Sequence, residues 1–125
     1  MFKILGLDHI VLRVFDLPKM LDFYCDILGC KVENEQPEIG LTQLRAGDNI
    51  IDLLSIDRIL NKAEQNMEHF CLRVESFNYE AMCEYFHSHN IEIYRYAKRY
   101  GSKGYNWSFY LKDPEGNELE LTAIE

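Results

Sequence analysis

The sequence predicts an α+β fold made of two β-α-β-β-β modules in tandem, and three features carry that reading. The stretch "DHIVLRV", Asp8 to Val14, returns as "EHFCLRV", Glu68 to Val74, and such repetition marks units that do not bury their apolar faces alone. A helical spacing of apolar residues follows each copy, and three short strand patterns follow each helix. A chain of 125 residues has room for one ordinary domain, so the modules must be small: about 5–56 and 68–125, joined by 57–67.

In the first module His9, Val11 and Arg13 alternate with Ile10, Leu12 and Val14, the period of a strand with one apolar face. Asp16 stands where a helix cap is needed, Pro18 fits the first turn, and Leu21, Tyr24, Cys25 and Leu28 recur at helical spacing up to Gly29. "CKVENEQ", "LTQLRA" and "NIIDLLSI" read as strands, the last two separated by Gly47-Asp48-Asn49. The linker "IDRILNKAEQNM" has room for a short helical piece.

The second module repeats the order. Ser76 is the expected cap of a helix that carries Phe77, Met82, Tyr85 and Phe86 and stops near Asn90, with His87 and His89 at the surface. "IEIYRY", "WSFYL" and "ELELTAI" follow as strands, the last two joined by the turn sequence Asp113 to Asn117. "AKRYGSKGY", two glycines among charges, is expected to be a mobile loop, and Trp107 to fill core.

Hydrophobic residues at 47% and charged residues at 27% are an ordinary globular composition. No apolar run has membrane-spanning length and "MFKILGLDH" lacks the features of a secretory signal, so a cytoplasmic protein is expected, without a membrane partner. Cys25, Cys30, Cys71 and Cys83 form no C-x-x-C pair and read as reduced, mostly buried thiols. A net charge of -8 argues against nucleic acid. Yet Arg95, Lys98, Arg99, Lys103 and Lys112 fall in one stretch without an acid, against 8 basic and 21 acidic residues elsewhere. Such a segment is either a solvated loop or a focus for an anion.

His9 and His69 occupy equivalent places in the repeat, on the polar face of a strand. Asp52 and Glu120 add carboxylates flanked by apolar neighbours in the last strand of each module, where an acid needs a partner or a metal. Two imidazoles and two carboxylates suit Zn²⁺, Ni²⁺, Mn²⁺, Fe²⁺ or Co²⁺. The competing role for Asp52 is an ion pair with Arg13 or Arg45, and Arg13 and Arg73 bind either an anion or an acid on the histidines' face.

The doubled pattern, the paired "DHI" and "EHF" strand starts, "FYCDILG" and the ending "DPEGNELEL" resemble the vicinal oxygen chelate superfamily over the whole chain. That superfamily includes glyoxalase I, fosfomycin-modifying enzymes, extradiol dioxygenases and bleomycin-resistance proteins. The resemblance implies cup-shaped half-barrel sheets with helices on the outer face, and a divalent metal held by His9, Asp52, His69 and Glu120. Glyoxalase I carries glutamate at the place of Asp52, so a shorter side chain here leaves a two-histidine, one-carboxylate site that suits fosfomycin-type or dioxygenase chemistry. "RYGSKGYNWSFYLKDPEGN" resembles small stand-alone glyoxalase-domain proteins, and it departs from the Ser-x-Gly loop of fosfomycin-modifying enzymes, with Lys103 in place of glutamate.

The resemblance thus implies a metal-dependent glyoxalase-like lyase or isomerase whose small substrate chelates the metal through neighbouring oxygens. Glu120 would act as general base and then acid, while Arg99 and Lys103 hold an anionic tail. The alternatives are a ring-cleaving dioxygenase, a fosfomycin-type thiol transferase, or a metal-free binder of a drug-like molecule. Short chains of this kind commonly exchange modules, so a homodimer with each metal site shared between chains is expected.

Overall fold

Strand β1 (His9–Val14) keeps the alternation of its sequence, with Leu12 and Val14 buried and His9, Val11 and Arg13 exposed. The structure is a computed structural model that describes residues 1–124. Its chain divides into two units, the first Met1–Glu64 and the second from Gln65 onward.

In the first unit β2 (Lys31–Gln36), β3 (Leu41–Ala46) and β4 (Asn49–Ser55) follow, and the sheet order is β1-β4-β3-β2. β1 lies parallel to β4, and the other neighbours are antiparallel. A parallel pair needs a crossover, which the helical segment supplies. Asp16 caps α1 (Leu17–Leu21) by accepting the Lys19 N–H at 3.2 Å, as its sequence position requires. The segment then widens into a π-helix over Asp22–Ile27, which regular spacing did not foretell: the Leu28 N–H reaches back five residues to the Phe23 carbonyl at 3.0 Å. The consecutive rings of Phe23 and Tyr24 are both buried there, edge-on at 4.9 Å. With Leu12, Val14, Met20, Leu44, Ile51 and Leu53 they form the core of this unit. The linker contains a short 3-10 turn, Lys62–Glu64.

The second unit repeats the topology with β5 (Phe70–Glu75), α2 (Tyr79–Ser88), β6 (Arg95–Gly101), β7 (Gly104–Lys112) and β8 (Glu118–Ile124), in the order β5-β8-β7-β6. Half-buried Phe77 packs edge-on against Phe109 at 4.9 Å, and Phe86, Phe109, Leu111, Leu119 and Leu121 are buried. The α+β fold of two β-α-β-β-β modules with open four-stranded sheets is therefore what the sequence predicts.

Four local expectations need correction. The cap of α2 is Asn78, not Ser76: its side chain accepts the Ala81 N–H at 2.9 Å, and the packing of Phe77 on Phe109 delays the helix until after that contact. Helix α2 does end as expected, with Asn90 at φ 61° and the Ile91 N–H on the Phe86 carbonyl at 2.9 Å. The segment expected to be a mobile loop is instead the hairpin of β6 and β7. Gly101 pairs with Gly104 around the two residues Ser102 and Lys103, and Gly104 at φ 86° takes a conformation that favours glycine.

Trp107 is exposed rather than in the core. It shares a sheet face with Phe109, but it lies beyond the start of α2, where Tyr79 stacks on Tyr96 at 3.8 Å and Tyr96 on Trp107 at 4.8 Å. The thiols are not mostly buried either: Cys25, Cys30 and Cys83 are half-buried and Cys71 is exposed. Among the described residues no helix is long and apolar enough to cross a membrane.

The turn before β8 is organised by one buried side chain. Asp113 Oδ1 accepts the N–H groups of Glu115 and Asn117 at 2.9 and 3.0 Å, and its Oδ2 accepts Asn117 Nδ2 at 2.8 Å. Removing that carboxylate strands backbone donors in a part-buried turn. We expect Asp113→Ala to lower unfolding free energy by about 2–3 kcal/mol in urea titrations, and a change within about 0.5 kcal/mol would refute this role.

Candidate functional site

In the first unit the register sets Asp52 opposite Val11, so its side chain shares a face with His9. Asp52 is 5% exposed, because β4 lies between β1 and β3. Its partner is neither of the arginines considered from sequence. Gln43, opposite it on β3, donates from Nε2 to Asp52 Oδ1 at 2.9 Å, while Arg45 is engaged by Glu33 through two bonds of 2.9 and 2.6 Å. His9 Nδ1 lies 2.8 Å from Asp8 Oδ1. That hydrogen bond raises the pKa of His9 above 6.5; desolvation opposes it, and the negative charge of Asp52 adds a smaller upward push.

The second unit matches it. Glu120 stands opposite Cys71 on β5 and Tyr110 on β7, and its carboxylate is 9% exposed. His69 precedes the first residue of β5, two positions before Cys71, with its ring edge-on to Tyr110 at 5.7 Å and its Nδ1 2.7 Å from Glu68 Oε2. The Tyr110 hydroxyl donates to Glu120 Oε1 and accepts from Arg99 Nε at 3.2 Å. Burial and then the bond to Glu120 raise the Tyr110 pKa above 10; although Cys71 is exposed as a residue, desolvation of its sulfur followed by Glu120 pushes the thiol far up, so both groups keep their protons at neutral pH.

The expected ligands are thus brought together in pairs, His9 with Asp52 and His69 with Glu120, each pair on one face of one sheet. Among the described residues no group of three or more His, Cys, Asp or Glu is gathered in a way that could hold a metal ion. Of the expected anion-binding residues, Arg99 reaches Tyr110 beside Glu120, whereas Lys103 sits at the hairpin turn. Arg73 Nη1 donates to Ser102 Oγ at 3.2 Å, and among the described residues no carboxylate pairs with Arg73 or Arg99. Ser108, two residues before Tyr110 on the same face, is fully buried with no partner for its hydroxyl among the described residues.

Gln43, Tyr110 and Ser108 went unread in the sequence. A signal for the last two existed, since they alternate with Phe109 and Leu111 and so must face away from the helix. Gln43 carried none until the register was known.

Tyr110→Phe leaves the buried Glu120 without its donor and should cost about 1–3 kcal/mol at pH 7. The raised Tyr110 pKa adds stability that is intact below pH ~10 and is lost as pH rises through the folded value. Denaturant midpoints measured into the alkaline range should therefore fall more steeply for wild type than for the variant. Parallel curves would contradict the assignment.

Comparison with known proteins follows the same lines. The chain is 28% identical over 119 residues to the glutathione transferase FosA of Serratia marcescens, covering 93% of this chain and 79% of that one. A structure from the mobile metagenome of V. pseudocholerae is 31% identical with a TM-score of 0.80, covering 100% of this chain and 98% of the other. An integron cassette protein from the mobile metagenome of V. cholerae is 29% identical with a TM-score of 0.79, covering 100% and 99%. The model of the Glyoxalase/Bleomycin resistance protein/Dioxygenase superfamily matches residues 6–121, nearly the entire chain, and the protein belongs to that superfamily.

Proposed function

We propose that the protein is a cytoplasmic, divalent-metal-dependent enzyme of the glyoxalase type, acting on a small anionic substrate that presents two neighbouring oxygens. The observation that carries this reading is the doubled pair: each unit sets one imidazole, hydrogen-bonded among the described residues through Nδ1 alone, on the same sheet face as one buried carboxylate. Neutral imidazole and carboxylate are a fitting donor set for Zn²⁺, Ni²⁺, Co²⁺, Mn²⁺ or Fe²⁺, held by His9, Asp52, His69 and Glu120. When bound, the metal would polarise the substrate oxygens and stabilise the negative charge that develops on them.

The chain's own groups do the rest. Glu120, whose Oε1 accepts from the Tyr110 hydroxyl, takes a proton from one carbon and returns it to the next, as base and then acid. Arg99 and Lys103 hold the anionic tail, and Arg99 is the better placed, since its guanidinium already lies beside Tyr110 and pairs with no carboxylate among the described residues. A second reading, addition of a thiol to an epoxide, is favoured by the similarity to the glutathione transferase FosA. Each unit supplies half a ligand set, so we further propose a two-fold dimer in which His9 and Asp52 of one chain meet His69 and Glu120 of the other.

Elemental analysis of protein purified without a chelating tag should find about one divalent ion per chain. Ligands must be unprotonated, and the His9 pKa is raised above 6.5, so metal affinity should weaken as pH falls below that raised value. Hemithioacetal isomerisation and thiol addition, assayed on the same metal-loaded sample, separate the two readings. Metal-free protein after reconstitution, with His69→Ala indistinguishable from wild type, would sink the metal reading and favour a binder.

The shared site has its own test. Mixing His9→Ala with His69→Ala under verified subunit exchange should restore part of the metal binding, because a heterodimer contains one intact site. No recovery, or a monomeric wild type in sedimentation, would refute sharing.

A further inference from the structure

The repeated heptapeptide doubles an acid as well as a histidine, and the structure gives the acid a role. In each unit the residue before the histidine places a carboxylate oxygen on Nδ1 of that ring: Asp8 Oδ1 on His9 at 2.8 Å, Glu68 Oε2 on His69 at 2.7 Å. The two acids differ by one methylene, yet the contact is the same. Consecutive side chains inside a strand point to opposite faces, so neighbours touch this way only where the strand begins. Both dyads sit at such a mouth, since β1 opens at His9 and β5 at Phe70. In the first unit the backbone of Asp8 is pinned there, its carbonyl accepting the Ile50 N–H at 3.2 Å.

An ionised carboxylate only accepts hydrogen bonds, so the ring nitrogen facing it must carry the proton. This matters because a free neutral imidazole carries its proton mostly on Nε2, which leaves the lone pair on Nδ1. The acid reverses that preference and moves the lone pair to Nε2, at the far end of the ring. A stabilising role is a poor explanation, because the carboxyl side chains are 94% and 74% exposed and exposed pairs add little to folding. We propose that Asp8 and Glu68 are positioning residues that fix His9 and His69 in the Nδ1–H tautomer and so present both Nε2 lone pairs as donors. The consequence for metal affinity rests on the metal-dependent reading above; the tautomer itself does not.

The test uses the full chain without metal. Nitrogen-15 NMR of the imidazoles, recorded well above the histidine titration range, should show the Nδ1–H form at His9 and His69, with the exposed His87 and His89 as internal references. Asp8→Ala should shift His9 alone toward the Nε2–H form, and Glu68→Ala should shift His69 alone. Affinity for Zn²⁺, measured by competition with a chromophoric chelator, should drop about 10-fold to 100-fold in each variant while melting temperature stays constant. Asp8→Glu and Glu68→Asp should restore both signals. Unchanged tautomers in the alanine variants, or shifted tautomers with unchanged Zn²⁺ affinity, would overturn the positioning role. A wild type that binds no Zn²⁺ while the tautomers shift as stated would sink the metal reading and leave the acids' control of the rings standing.

Discussion

In each unit the parallel pairing of the first strand with the last is the contact on which the others depend. It forces the chain to leave the sheet and return, which is why a helical segment follows β1 and α2 follows β5. It also makes the last strand interior, with β4 between β1 and β3 and β8 between β5 and β7. The helical crossover covers the apolar face, so the polar face is the one on which side chains remain free for chemistry. The histidine and the carboxylate of each unit share a sheet face because they lie on, or just ahead of, the two strands of that single parallel pair.

Placing an acid in an interior strand carries a desolvation cost, and each unit offsets it from the adjacent strand. Gln43 on β3 bonds to Asp52, and Tyr110 on β7 bonds to Glu120. The donors differ in consequence. An amide offers Asp52 a neutral, weakly adjustable partner, whereas the Tyr110 hydroxyl is itself held by Arg99, so the environment of Glu120 responds to whatever engages that guanidinium. The two halves share a scaffold while their carboxylates have different surroundings.

The edges of the two sheets are treated differently as well. β2 carries Lys31, Glu33 and Glu35 and a register irregularity between Val32 and Asn34, features that discourage pairing with another chain. β6 runs in regular register over seven residues and relies on Arg95, Lys98 and Arg99 for the same purpose. The basic stretch noticed in the sequence is therefore an edge strand and its turn. Its charges alternate across the sheet: Arg95 and Arg99 share the face of Tyr110, while Lys98 stands with the aromatic face of Tyr96 and Trp107.

The order of elements, the two modules, the inward period of β1 and β5 and the sheet faces taken by His9, Asp52, His69 and Glu120 were legible in the sequence, because each rests on local spacing or on repetition. Alternation fixes which residues share a face, and a repeat shows which residues correspond. What the sequence left open depends on register and on where packed surfaces end. The amide beside Asp52 and the hydroxyl beside Glu120 come from neighbouring strands whose alignment no local pattern sets. Trp107 has the alternation of a core residue but falls where the helix no longer covers the sheet, and a glycine-rich stretch that looks mobile is held straight by cross-strand rings such as Tyr100 and Tyr105. The acids before the two histidines were visible from the start, but their hold on the ring nitrogens exists only because both strands begin at that point, a boundary that tertiary pairing decides.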